Sequence, residues 1–135
     1  MKISNEKPPQ KVWDGCHKYF TIDDRFTIYT YGDTIYNPAG IECDRFLIAH
    51  ESIHEGQQAK YPGGPDAWWD RYFTDATFRQ DQEVEAYREQ YKEYAKAQPD
   101  RNKRFKYLHI LATNLAGPTY KAGLSVIVAM RMIKE

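Results

Sequence analysis

The sequence predicts an α+β domain, mostly α, in which a small N-terminal β-hairpin precedes a run of helices. Three observations carry this. Apolar and polar residues alternate between Phe26 and Tyr36, around a Gly32-Asp33 pair suited to a two-residue turn. From Glu42 onward, apolar residues fall three and four apart, which is the helical period. Pro62-Gly63-Gly64-Pro65, Pro99 and Gly117-Pro118 then cut the helical stretches into separate elements. At 135 residues the chain is long enough for one domain with a core and too short for two ordinary ones.

Residues 1–11 are polar, contain Pro8-Pro9 and read as a flexible arm, leaving 12–135 as the single domain. In the hairpin, Phe26, Ile28 and Thr30 share one face of a strand, with Thr27, Tyr29 and Tyr31 on the other. Thr34-Ile35-Tyr36 returns and ends at Asn37-Pro38. Such a hairpin either covers one side of a helical core or offers an edge strand to an extended peptide. A helix is expected from Glu42 to about Lys60, with Glu42 and Asp44 suited to its first turn. Phe46, Leu47, Ala49, His50, Ile53 and His54 fall on one broad face of it.

A short helix with Pro65 in its first turn carries Trp68, Trp69, Tyr72 and Phe73, an aromatic stripe assigned to core packing. Thr77-Phe78-Arg79-Gln80 has the capping-box form, so a longer helix is expected from Phe78 to Gln98. Its inward residues are Val84, Tyr87, Tyr91 and either Tyr94 or Ala95. Asp100 can cap the next helix, striped by Phe105, Leu108, Ala112 and Leu115. His109, beside Leu108, reads as a core residue and not as a ligand. The last helix, Leu124 to Lys134, is apolar with a basic end.

Bulk properties exclude several function classes. Nineteen Lys and Arg balance nineteen Asp and Glu, and a pI near 6.9 leaves no electrostatic footprint for nucleic acid or an anionic membrane. The longest fully apolar run, Val126 to Met130, is too short to span a bilayer, and the N-terminus lacks the apolar stretch of a signal peptide. A cytoplasmic protein with two reduced cysteines, Cys16 and Cys43, is the expectation. No motif sets an oligomeric state.

The chemistry concentrates in His50-Glu51-Ser52-Ile53-His54. On a helix, residues four apart lie on one face, about 6 Å along the axis, so both imidazoles can reach one metal ion. Glu51 then stands beside the ion as a base for water. Catalytic zinc usually takes three protein ligands. A third His six residues after His54 is absent, since Lys60 stands there. Cys43 lies seven residues before His50, roughly 10 Å along the same helix, and cannot share the ion. Cys16 stays formally open, without a motif around it. Glu83 and Glu85 remain, on the long helix, and they differ by about 200° around its axis. Glu83 lies one turn from the inward Tyr87 and is the favoured third ligand.

His50-Glu51-x-x-His54 followed by Glu83-x-x-Ala86 on a later helix resembles the gluzincin clan of zinc metallopeptidases. More closely, Tyr31 to Tyr36, His50 to Gln58, Trp68-Trp69 and Gln82 to Arg88 are similar to small uncharacterised metallopeptidase-like proteins of bacteriophage and prophage genomes. That likeness covers most of residues 26–95, and Gly117-Pro118-Thr119-Tyr120 is a weaker echo of a Ser-Pro-x-Tyr segment in them. It implies a minimal zincin-like domain binding Zn2+ through His50, His54 and Glu83. The implied activity is hydrolysis of a peptide or protein substrate with Glu51 as base. Tyr120 or Tyr87 would donate a hydrogen bond to the developing oxyanion. Two positions depart from the pattern. Tyr87 stands four residues after Glu83, where gluzincins often carry an Asp that holds a ligand His, and the charged Glu55 follows His54. The rival expectation is a zinc-stabilised helical adaptor or virion assembly protein without proteolysis.

Overall fold

In the computed structural model, which describes residues 1–135, four of the six helices start where a short polar side chain caps them. The order is β1 (Lys2–Ser4), α1 (Gln10–Tyr19), β2 (Tyr29–Tyr31), β3 (Thr34–Tyr36), α2 (Arg45–Lys60), α3 (Gly64–Thr74), α4 (Ala76–Ala97), α5 (Arg101–Ala116) and α6 (Val126–Lys134). The carboxylate of Asp44 accepts from the Leu47 amide at 2.8 Å and opens α2. Asp75, Asp100 and Ser125 do the same for α4, α5 and α6. Each satisfies a helix N–H that has no intrahelical partner, at about 1 kcal/mol apiece. The cap of α4 is therefore Asp75, two residues before the expected Thr77, and the helix begins earlier to match. α2 begins at Arg45 instead of Glu42, which leaves Cys43 ahead of the helix.

The fold is α+β and mostly helical, as the periodicities predict, but the N-terminal region differs from expectation. The segment read as a flexible arm contributes β1, which pairs in parallel with β3 and makes a three-stranded sheet of order β1-β3-β2. Helix α1 follows immediately, burying Val12 and Cys16. The hairpin is shorter than the alternation suggested: Phe26 lies in a turn and is 63% exposed. Its turn is the two-residue Gly32-Asp33, with Gly32 at φ 59° and Asp33 at ordinary φ. That is the pattern of a type II′ turn, which takes Gly first.

Two apolar clusters flank a polar seam. One joins Val12, Cys16 and Phe20 to the aromatic residues Trp68, Trp69, Tyr72 and Phe73 of α3. The other packs Val84 and Tyr87 of α4 against Leu108, Leu111, Ala112 and Leu115 of α5 and against Ala129 and Ile133 of α6. Tyr120 touches both. On α5 the inward stripe is Leu108, Leu111, Ala112 and Leu115, so Phe105 turns out to solvent at 60% exposure. His109 is exposed as well, neither core nor ligand. No helix is long and apolar enough to cross a membrane.

Candidate metal centre

The seam is made by α2. Its fully buried residues are His50, Glu51, His54 and Gln58, every one of them polar. A buried polar group costs about 1–3 kcal/mol unless it is hydrogen-bonded, so each of these four must find a partner. The His pair does not face an apolar side, as the stripe in the sequence suggested. It faces α4, whose Glu83 is buried opposite.

Three donor atoms converge there. His50 Nε2 and His54 Nε2 are 3.2 Å apart. Glu83 Oε1 is 3.2 Å from His50 Nε2, and Glu83 Oε2 is 3.2 Å from His54 Nε2. Ligands about 2.0–2.1 Å from a tetrahedral zinc are separated by about 3.3 Å, so these spacings suit one ion. His50, His54 and Glu83 form the one buried cluster with this property. Glu85 points away, is exposed and accepts from Gln57. Cys16 and Cys43 are free thiols outside the cluster, and burial pushes the Cys16 thiol up to about 12.

The hydrogen bonds behind the ligands fix their protonation. His54 Nδ1 is 2.8 Å from the side-chain oxygen of Gln57, whose amide nitrogen donates to Gln82 O and Glu85 Oε1. His50 Nδ1 is 3.0 Å from the side-chain oxygen of Gln90, whose amide nitrogen donates to the Tyr107 phenol. An amide oxygen only accepts, so each Nδ1 carries the hydrogen and each Nε2 presents a lone pair to the cluster. The Tyr72 phenol donates to Glu83 Oε2 at 2.6 Å, while Glu83 Oε1 has no hydrogen-bond donor. Two lone pairs and a carboxylate so enclosed call for a cation. Without a metal ion a proton supplies it. Burial alone would lower the His54 pKa, but Glu83 opposite, with smaller help from Glu51 and Gln57, holds it at about 9. Burial would likewise raise that of Glu83, and His54 and His50 instead keep it well below the usual carboxylate range.

Glu51 stands beside the cluster without joining it. Thr30 Oγ1, on β2, donates to Glu51 Oε2 at 2.6 Å, and Glu51 Oε1 lies 4.0 Å from His50 Nε2. One oxygen is held and the other faces the site. Tyr120, the expected oxyanion donor, lines the cavities on both sides of the cluster, and its phenol is 2.9 Å from that of Tyr87. Arg79, buried, holds the backbone around it, donating to Tyr120 O at 2.6 Å and to Tyr72 O at 2.7 Å. Burial, then the neighbouring Tyr87 and Glu83, keeps the Tyr120 phenol protonated far above its ordinary range.

His50, Glu51, His54 and Glu83 are thus brought together as the spacing required. Thr30, Tyr72, Arg79, Gln57 and Gln90 are residues around the cluster that the sequence reading did not single out. Gln57 and Gln90 lie three residues after His54 and seven after Glu83, on faces that helical geometry already aimed inward. Thr30, Tyr72 and Arg79 act across distant stretches of chain and carry no local signal. Comparison of the chain with protein-family models, curated proteins and solved structures finds no match.

Two outcomes follow from the hydrogen-bond network. Gln57→Leu and Gln90→Leu should each weaken zinc affinity about 10–100-fold, read by competition with a chelator of known affinity, because each removes the acceptor that orients a ligand imidazole. Zinc needs the His54 lone pair, which a proton occupies below about 9 in the metal-free protein. Binding near neutral pH should therefore release about one proton, and affinity should climb as pH rises. Titration calorimetry in buffers of different ionisation enthalpy measures this; a heat independent of buffer would rule it out.

Proposed function

We propose that the protein is a zinc-dependent hydrolase of peptide bonds in which Glu51 is the base. The observation that carries this reading is the placement of Glu51. Its carboxylate is buried at the side of a three-donor cluster, one oxygen fixed by Thr30 and the other 4.0 Å from His50 Nε2, and Glu51 lines both cavities beside the cluster. A structural metal has no use for such a carboxylate, and structural zinc sites usually have four protein ligands where this one offers three.

His50, His54 and Glu83 would hold the ion. Bound there, zinc supplies Lewis acidity, polarising a carbonyl oxygen and making water acidic near neutral pH. Glu51 Oε1 accepts the proton of the attacking water, whose hydroxyl goes to the carbonyl carbon. The C–N bond breaks and Glu51 returns the proton to the leaving nitrogen, so that one water is added across one amide. Tyr120, kept protonated, donates to the oxygen that becomes negative along the way. The likeness to phage metallopeptidase-like sequences supports the same reading from Tyr31–Tyr36, the motif helix and Gln82–Arg88.

A second reading has one feature in its favour. The cluster ties α2 to α4, and a metal there would cross-link the two halves of the core, as in a zinc-stabilised adaptor. One comparison separates the two. Glu51→Gln should bind zinc with unchanged stoichiometry and cleave a mixed peptide library about 10²–10⁴-fold more slowly than wild type. Zinc bound by wild type without any Glu51-dependent cleavage would favour the adaptor. A wild type that binds no zinc would sink both.

A further inference from the structure

The free side of β2 is the natural place for an extended peptide to pair, and it is already in use. Residues 29 and 31 pair with 36 and 34 across the hairpin, so Thr30 turns its own N–H and C=O outward. Gln58, fully buried on α2, meets that carbonyl and the amide of Gly32 with its side-chain amide. Its nitrogen donates to Thr30 O at 2.8 Å, and its oxygen accepts from the Gly32 amide at 2.8 Å. One amide bridging residues 30 and 32 copies the pairing of a residue in a parallel strand. Trp69 Nε1 donates to the same Thr30 oxygen at 3.1 Å, filling its second lone pair. Past Thr30, toward Gly32, β2 has no free carbonyl or amide for a substrate over these residues.

The space around the cluster is unequal in the same sense. Toward Phe26 and Leu47 a cleft of about 540 Å3 opens from His50 and Glu51. On the Gln58 side lies a cavity of only about 80 Å3, walled by Phe20, Trp68, Trp69 and Tyr72. The large cleft is in the range that holds drug-sized ligands, whereas the small cavity is well below the roughly 150 Å3 that admits benzene. No Lys or Arg lines the small cavity. A terminal carboxylate there would be buried without a partner, at a cost of several kcal/mol.

We propose that the cleft is one-sided: Gln58 closes the strand past the metal-binding cluster, so the site takes the end of a peptide bearing a small uncharged terminal group, and not the middle of an extended chain. This rests on the hydrolase reading and names its substrate class. Hydrolysis then separates the small terminal group in the small cavity from the remainder of the peptide in the large cleft. Gln58 acts as a specificity-determining residue through the two hydrogen bonds that it denies a longer substrate.

The test is to digest a mixture of short and long end-blocked peptides, N-acetylated and C-amidated, with the zinc-loaded full-length chain and to map each cut by mass spectrometry. Bonds next to a chain end should be cut about tenfold faster than internal ones, as two lost backbone hydrogen bonds of about 0.7 kcal/mol each imply. Gln58→Ala should narrow that ratio by freeing Thr30 O and Gly32 N. Internal cuts as fast as terminal ones in wild type, and dependent on Glu51, would overturn the one-sided cleft and leave the hydrolase standing. A terminal preference that Gln58→Ala does not change would overturn the role of Gln58. Zinc bound with no cut at any bond would remove the hydrolase reading and this inference with it.

Discussion

The rest of the structure depends on burying the polar face of α2. His50, Glu51, His54 and Gln58 lie under 9% exposed on a single face, where an ordinary helix of a small domain would place Leu and Ile. Left unpaired, four such groups at about 1–3 kcal/mol each would consume most of the 5–15 kcal/mol that holds a domain folded. Each is therefore answered, by α4, by β2 or from within α2 itself. Gln90 of α4 takes His50, Thr30 of β2 takes Glu51, Gln57 and Glu83 take His54, and the β2 backbone takes Gln58. These bonds, besides apolar packing, fix the sheet and the long helix against α2.

The apolar clusters on either side make that network worth more than it would be in water. Trp68 lies against the His54 ring at 5.6 Å and Tyr87 against the His50 ring at 4.4 Å, between ring centroids. They exclude solvent, and the low dielectric strengthens every charge interaction inside. The same surroundings leave Glu83 Oε1 as a buried oxygen without a donor, the point at which the protein's own hydrogen bonds stop and a cation is needed. Arg79 extends the network in the other direction, joining α3 to the segment that carries Tyr120. Both candidate proton donors near the cluster, Tyr72 and Tyr120, are held by that one guanidinium through their backbone carbonyls.

What could be read from the sequence was what helical geometry alone decides. The four-residue spacing of His50 and His54 and the inward turn of Glu83 needed only the angle per residue, and Glu83, not Glu85, lies against the His pair. Of the caps only Asp100 was legible as one; Asp44 reads as a first-turn residue, Thr77 takes the place of Asp75, and Ser125 is not singled out. α1 was not read, although Val12, Cys16, Tyr19 and Phe20 keep the helical spacing. Nor was β1, because a parallel partner thirty-two residues away leaves no local trace in three residues. For the same reason Thr30, Tyr72 and Arg79 were hidden, as their bonds run to other elements. Tyr72 in particular looks like packing because its ring does pack, and only its phenol belongs to the site. Periodicity marks which side chains turn inward but not which of them meet there.

The central claim is that His50, His54 and Glu83 hold one metal ion between α2 and α4. X-ray absorption at the zinc edge of the protein purified with zinc tests it most directly. The account predicts two imidazole nitrogens and a carboxylate oxygen at about 2.0–2.2 Å, with one further oxygen from solvent and no sulfur. A sulfur shell near 2.3 Å, which would bring in Cys16 or Cys43, would contradict it. So would a zinc environment in the Glu83→Ala variant identical to that of wild type.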